Sequence, residues 1–347
     1  MSGADRHETT GKTGSFRTAD YYTRKRSRRI KSLKNNIEAW LYLSPAVLVL
    51  MVFWLFPVIV SIIISFTNWK GLDTWATIKW IGFGNYRNVL GDEEFRQTLL
   101  NTFNYALYSV PLTIALSLAA ALFLNSRIRG RSFFRTVYFL PFVTTWVAIS
   151  ILWNYFYHRD FGLANYFLKS LGLSPLKWLA EPRGVIAMFF GQFGIRVSNP
   201  ILAGPSLAMF SIIITTIWRS IGYYMIIFLA GLQNIDRTYY EAAEIDGASP
   251  WHRFWSITFP LLSPMTFFIL IISMINSFKV FVPMLIMTPN GGPDNTCATI
   301  VFHLYEKGFQ GLWLMGHASA IAYVLFVIIL VITVLQNRVF GRRVHYS

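Results

Sequence analysis

The chain has 347 residues, of which 54% are hydrophobic, 17% aromatic and only 14% charged. Soluble globular domains carry roughly 25% charged residues, so this composition excludes an ordinary soluble domain and indicates that lipid is the main solvent of the chain. The net charge of +15 is concentrated in a few clusters, and the single cysteine, Cys297, excludes an intrachain disulfide or a cysteine-based metal site.

Two polar tails flank the apolar part of the sequence. Residues 1–36 are basic and rich in Ser, Thr and Gly, which predicts a disordered tail, and residues 341–347 form a second short tail. The basic run at 24–29 lies next to an apolar segment, a position that favours contact with membrane lipid over nucleic acid. The remaining residues, 37–340, are predicted to form one membrane domain.

Six segments are long and apolar enough to cross a hydrocarbon core, which takes about 20 helical residues. They cover about 41–67, 98–124, 137–157, 207–232, 261–283 and 314–336. The stretch 185–203 is also partly apolar, but Gly, Asn and Pro interrupt it, so we interpret it as an external or interfacial insertion. The predicted fold class is therefore all-α, a polytopic membrane protein with six transmembrane helices.

The distribution of arginine and lysine predicts the orientation of these spans. An even number of spans places both termini on one side of the membrane, together with a four-arginine loop at 125–136 and the segment 233–260. Loops enriched in Lys and Arg stay in the cytoplasm, so both termini are expected to be cytoplasmic.

The polar segment 233–260 is predicted to be a helix–turn–helix. Asp236 can cap a first helix, Gly247 lies where a helix C-terminus favours positive φ, and Ser249-Pro250 is typical of a second helix start. Two short helices with exposed small residues and Glu241 on one flank would form a docking surface.

The spacing within this segment resembles the cytoplasmic coupling loop of ABC importer permeases. Their pattern is Glu-Ala-Ala, three residues, Gly, nine residues, Ile, one residue, Leu-Pro, and here Phe259 replaces the Leu. The residues that match are Glu241, Ala242, Ala243, Gly247, Ile257 and Pro260, and Asp246 with Ala248 extends the match to the carbohydrate-uptake branch. Leu229–Gln233, Gly291–Pro293 and Gly316–Ala320 also resemble that branch.

The resemblance implies a type I ABC importer permease in the plasma membrane of a prokaryote. Such a subunit pairs with a second permease, commonly as a heterodimer, and receives its substrate from an extracellular solute-binding protein. Two copies of a cytoplasmic ATPase bind ATP and Mg and dock on the coupling loop. The resemblance thus implies that this chain holds no cofactor or metal, is not an enzyme, and couples through Glu241, Ala242, Ala243, Asp246, Gly247 and Ala248. The substrate is expected to be an oligosaccharide or another carbohydrate.

Ionisable residues at membrane depth are costly and point to function. Arg219 lies halfway along the fourth span and Lys279 near the outer part of the fifth. Similarity to the maltose-transporter permease implies a substrate pathway lined by Arg219, Ser220, Tyr223, Ser273, Asn276, Ser277, Lys279 and Val280. Two basic residues there would suit an anionic sugar. Alternatively, Arg219 snorkels or pairs with a partner subunit, and the Ser and Asn side chains only bridge helices.

A self-contained secondary transporter of a small polar solute is the main alternative function. It would need intramembrane acidic residues for ion coupling, and the six predicted spans contain none. Gly11-Lys12-Thr13 is similar to the end of a phosphate-binding loop, but Arg6 occupies the position of the required glycine. We therefore expect ATP to bind to a separate polypeptide.

Overall fold

The computed structural model describes residues 38–341 except positions 127, 128, 198, 200, 201 and 312. The predicted tail at 1–36 lies outside the described residues, as does all of the second tail after Gly341. The predictions for both tails, and the side of the membrane on which they lie, therefore stay predictions. Contacts divide the chain into residues up to Ile63 and residues from Ile64 onward, and these two units are described separately.

The described residues form helices joined by turns and loops. Their β contacts are limited to two isolated antiparallel bridges, Thr67 with Trp80 and Gly184 with Ser206. The all-α class is confirmed. The helices are α1 (Glu38–Ser65), α2 (Gly84–Gly91), α3 (Glu93–Asn125), α4 (Arg131–Val143), α5 (Trp146–Phe156), α6 (Leu163–Ser170), α7 (Val185–Gly191), α8 (Leu207–Gln233), α9 (Arg237–Ile245), α10 (Pro250–Leu261), α11 (Ser263–Phe278), α12 (Val282–Met287), α13 (Ile300–Phe309) and α14 (Met315–Val339).

Four of these helices, α1, α3, α8 and α14, are long and apolar enough to cross a membrane alone. Two further spans are bent pairs, α4 with α5 and α10 with α11, which gives six spans if each pair is counted once. The stretch 185–203 contains only the short helix α7 among its described residues, as expected for an insertion.

Helix α1 contains the most apolar window among the four long helices. None of its most apolar window is buried within the chain, and Met51–Leu55 is a π-helical stretch just before Pro57. Proline lacks the amide hydrogen that an α-helix needs, and a π-helical turn is a common local adjustment in a helix.

The third span differs from the sequence prediction. A continuous helix was expected over 137–157, and the structure instead bends by 100° between α4 and α5. Pro141 weakens the end of α4, and the Thr145 hydroxyl accepts a hydrogen bond from the Ala148 amide at 3.4 Å, which starts α5 as a new helix.

Helices α3 and α8 run side by side in the same direction. Tyr105 packs in one buried cluster with Met209 and Ile213, and Leu124 packs in another with Leu232. The segment α9–α10 follows α8 directly, so it lies at the C-terminal end of this pair, called here the loop end. The start of α3 lies at the opposite end.

Gly222 allows α8 to approach α4 closely. A Cβ at this position would lie 1.9 Å from the carbonyl oxygen of Tyr138. No side chain fits in that space, so the backbone contact requires glycine. The bent third span is thereby held directly against α8.

The fifth span is also shorter than predicted. The predicted segment 261–283 contains a bend of 64° at its start, and α11 ends at Phe278. Lys279 follows as the C-terminal capping residue, and α12 begins at Val282. Pro264 and Pro283 each stand in the first turn of a helix, where a missing amide hydrogen is tolerated.

Candidate functional site

A cavity of about 420 Å³ lies between α3, α8, α11 and the bend of the third span. All eight residues that the sequence analysis assigned to a substrate pathway line it, and the wall also includes residues from α3 and from the bend. The predicted members are Arg219, Ser220, Tyr223, Ser273, Asn276, Ser277, Lys279 and Val280. The structure brings them together, while their role in transport stays a prediction.

Arg219 holds the bend of the third span. Its Nη2 donates hydrogen bonds to the carbonyl oxygens of Phe142 at 3.0 Å and Thr144 at 3.3 Å. The guanidinium also lies over the rings of Trp146, 4.3 Å from the centroid, and Phe142 at 5.1 Å. Carbonyls at the end of a helix lack an intrahelical partner, so this arginine satisfies groups that the bend leaves unpaired. Arg219 is therefore chiefly a structural residue of the cavity wall.

Lys279 differs from Arg219 in its surroundings. Its side chain is exposed at the cavity wall, and it forms no hydrogen bond or ion pair within the part of the chain that the structure describes. The described residues that line the cavity include no Asp or Glu. The cavity therefore has a positive potential, and the ammonium group of Lys279 is available to a ligand.

The hydroxyl groups on α11 are mostly occupied by the helix itself. Ser277 donates to the Ser273 carbonyl at 2.6 Å, and Ser273 donates to the Leu270 carbonyl at 3.2 Å. Serine in a membrane helix commonly satisfies its hydroxyl in this way. Asn276, in contrast, lines the cavity beside them. Both bonds lie within α11, so the donor hydrogens of these serines do not bridge to another helix.

Several cavity residues were missed by the sequence analysis. Tyr105 donates to Thr216 at 2.9 Å across the α3–α8 contact, and Phe142 stacks on Tyr223 with ring centroids 4.4 Å apart. Ser109 and Thr113 add a polar edge from α3. Their spacing of four along α3 was the available signal, because residues four apart share one face.

The segment α9–α10 has the local structure that its sequence predicts. The Asp236 carboxylate accepts a hydrogen bond from the Thr238 amide at 3.0 Å, which also lowers the pKa of Asp236. Gly247 has a φ of 73°, and the bonds Gly247 to Glu244 and Ala248 to Ala243 close a Schellman motif. Ser249 caps α10 by accepting from the His252 amide at 3.3 Å.

Side-chain contacts hold α9 against α10. Arg253 lies 3.5 Å from the Glu244 carboxylate, and the hydroxyls of Tyr240 and Thr258 are hydrogen-bonded at 2.9 Å. The residues matching the coupling pattern remain accessible: Glu241, Ala242, Asp246 and Gly247 are exposed, and Ala243 and Ala248 are half-buried. Ile245 is 87% exposed and Trp251 is 71% exposed. Large apolar side chains with this exposure beside small residues are typical of a docking surface.

Comparison with known proteins agrees with this architecture. Residues 93–346 match the family described as "binding-protein-dependent transport system inner membrane component". The lactose transport system permease protein LacF of Rhizobium radiobacter is 33% identical over 87% of this chain and 93% of its own length. The arabinooligosaccharides transport system permease protein AraP of Bacillus subtilis is 31% identical over 87% of this chain and 88% of its own length.

Among solved structures, a subunit of a bacterial alginate ABC transporter, in complex with an alginate pentasaccharide-bound periplasmic protein, has a TM-score of 0.72. It covers 91% of this chain and 98% of its own length at 22% identity, a level that supports the fold alone. Matched relatives are transport permeases rather than enzymes, which also decides against a self-contained secondary transporter. The chain therefore belongs to the binding-protein-dependent transport system inner membrane component family, as a membrane-spanning permease subunit of an ABC importer whose relatives include named sugar permeases.

Proposed function

We propose that this chain forms half of the translocation pathway of an ATP-driven carbohydrate importer. The observation that carries the proposal is that one helix, α8, both lines the cavity and leads into the segment α9–α10, called here the docking segment. Helix α8 contributes Arg219, Ser220 and Tyr223 to the cavity and leads directly into α9 at its C-terminal end. Movement of α9–α10 is transmitted along α8 to the cavity.

The docking segment is proposed to fit a groove on a cytoplasmic ATPase subunit. Closure of two ATPase copies on ATP and Mg would move two permease subunits from inward-open to outward-open. The partner permease is proposed to be a different chain, and a solute-binding protein delivers the substrate outside. Coupling requires that ATP and the loaded binding protein favour the same conformation. Both termini and the segment 233–260 then lie in the cytoplasm of a prokaryotic cell.

The proposed substrate is an oligosaccharide or another carbohydrate. Aromatic and hydrogen-bonding side chains such as Tyr223 and Asn276 suit a polyhydroxylated ligand. The relatives named for lactose and arabinooligosaccharides support this class. Lys279 and the lack of acidic residues in the described cavity wall favour a substrate that carries negative charge.

Two substitutions in the docking segment test the coupling role. Glu241→Lys reverses an exposed charge, and Gly247→Leu places a side chain at positive φ, where it is strained by about 1–2 kcal/mol. Both variants should insert into the membrane with their partners and hydrolyse ATP, while uptake falls by at least about tenfold. Reconstituted complexes allow both rates to be measured together.

A substitution outside the segment provides the control. Gly172 also has positive φ, and no atom lies within 4 Å of a Cβ at this position, but it belongs to the loop after α6 rather than to the docking segment. Gly172→Leu should leave uptake coupled to ATP hydrolysis. Normal uptake by both Glu241→Lys and Gly247→Leu would refute the assignment.

A further inference from the structure

A cluster of three metal-ligating side chains lies far from the docking segment. Asp92 and Glu94 are at the start of α3, at the end opposite to the loop end, and His303 is in the first half of α13. The ring of His303 is only 1% exposed. The cluster therefore joins two helices at the far end of the molecule, outside the cavity described above.

The three side chains can approach one metal ion. One ligand atom from each lies within 4.8 Å of the others, and Asp92 Oδ2 is 3.6 Å from His303 Nε2. Zinc bonds of about 2.0–2.2 Å place two tetrahedral ligands roughly 3.4 Å apart. The Asp92–His303 pair already has nearly this separation. A change in the side-chain rotamer of Glu94 would bring its carboxylate to the same distance.

The buried nitrogen of His303 is the observation that points to a ligand. Nε2 has no hydrogen-bond partner among the described residues, and it is directed at the Asp92 carboxylate. The nitrogen and the carboxylate oxygen, 3.6 Å apart, are close enough to bind one cation together.

A fourth residue with a carboxylate lies near the imidazole. Glu306 Oε2 lies 3.9 Å from His303 Nδ1, the nitrogen on the other side of the ring. A carboxylate beside the second nitrogen of a metal-bound histidine fixes its tautomer and ring position. At 3.9 Å Glu306 makes no hydrogen bond to Nδ1, and a change in its side-chain rotamer would be needed for it to become such a partner.

Lys307 competes with a metal ion for the cluster. Its Nζ donates to Glu94 Oε2 at 2.7 Å and holds that carboxylate at the surface. Asp92, Glu94 and Glu306 still outnumber this single cation, so the local charge favours a divalent ion. Removing the lysine would release Glu94 to the metal.

We propose that Asp92, Glu94 and His303 form a binding site for a divalent transition-metal ion, with Zn²⁺ as the preferred ion. Imidazole combined with carboxylates suits zinc better than magnesium or calcium, which favour all-oxygen sites. The bound ion would fasten the start of α3 to α13. This site does not depend on the proposed transport function, so each can fail separately.

Zinc titration of the purified permease complex tests the site. Zn²⁺ should raise the thermal unfolding midpoint of the native complex and bind in calorimetry. Asp92→Asn keeps a side chain able to cap α3 but removes the charged ligand, so affinity should fall by at least about tenfold. His303→Ala should abolish binding. Lys307→Gln should tighten zinc binding, because the lysine no longer holds the Glu94 carboxylate.

Glu93 provides the matched control. It stands between the two acidic ligands and pairs instead with Arg96 at 3.2 Å. Glu93→Gln should therefore leave the zinc affinity unchanged. Absence of zinc binding to the native complex, or equal effects of Asp92→Asn and Glu93→Gln, would overturn the proposal, as would weaker binding by Lys307→Gln.

Discussion

Arg219 and Lys279 are two cations at one cavity with different roles. The guanidinium of Arg219 is bonded to two carbonyls and covered by aromatic rings, whereas the ammonium of Lys279 is exposed and unpaired within the described chain. Sequence reasoning identified both as cavity residues but did not separate their roles. The carbonyls that accept hydrogen bonds from Arg219 belong to another span, and no local sequence pattern predicts such a long-range contact.

Substitution of these two cations should separate stability from transport. Arg219→Met leaves the carbonyls of Phe142 and Thr144 unpaired, at a cost of about 1–3 kcal/mol. The thermal unfolding midpoint of the purified complex should fall.

Lys279→Met is the matched control for this substitution. It should leave the midpoint unchanged and reduce uptake of anionic sugars more than uptake of neutral ones. An unchanged midpoint for Arg219→Met, or equal losses for both sugar classes with Lys279→Met, would contradict this division of roles.

At the scale of elements, local signals predicted structure well and long-range contacts were missed. The Asp236 cap, Gly247 at positive φ and the Ser249 cap are short-range features, and the segment α9–α10 follows them closely. The bend between α4 and α5 also has local causes in Pro141 and Thr145, but its angle depends on contacts with α8. A hydropathy pattern reports only that these residues are apolar.

Gly222 gives a direct test of the α4–α8 contact. In Gly222→Ala the new Cβ would collide with the Tyr138 carbonyl and force the two helices apart. We expect a loss of stability of roughly 1–3 kcal/mol, measured as a lower unfolding midpoint of the complex.

Gly191 is the control for a glycine without such a contact. It ends α7, and no atom lies within 4 Å of a Cβ built there. Gly191→Ala should be neutral or slightly stabilising because alanine reduces the freedom of the unfolded chain. Equal effects of Gly191→Ala and Gly222→Ala would argue against a close helix contact.

At the scale of the whole molecule, the two ends have different chemistry. The loop end presents small and apolar side chains on α9–α10, and the opposite end carries the Asp92–His303 cluster. Fold class was predictable from hydropathy, the docking segment from the Glu-Ala-Ala pattern, and the cavity residues from the resemblance to the maltose-transporter permease. The metal-ligating cluster was not, because its members are distant in sequence and meet only through the packing of α3 against α13.

Because the single cysteine of the chain is buried, a cysteine introduced into the docking segment can be labelled selectively. Cys297 is fully buried, and burial raises its pKa to about 11, so it reacts little with thiol reagents. A cysteine introduced at Ala242 would then be the main reactive thiol of this chain. Leu72 is 80% exposed and lies at the opposite end, beside Gly71, whose amide is bonded to the Trp313 carbonyl.

Cross-linking from these two positions tests the central claim most directly. With a cysteine-to-amine cross-linker applied to the assembled complex, Ala242→Cys should form a covalent product with the ATPase subunit, and Leu72→Cys should form none. The yield of this product should change when ATP is added, because closure of the ATPase is proposed to shift its contacts with the docking segment. Absence of an ATPase product from Ala242→Cys, or equal yields from both positions, would contradict the assignment of α9–α10 as the coupling segment.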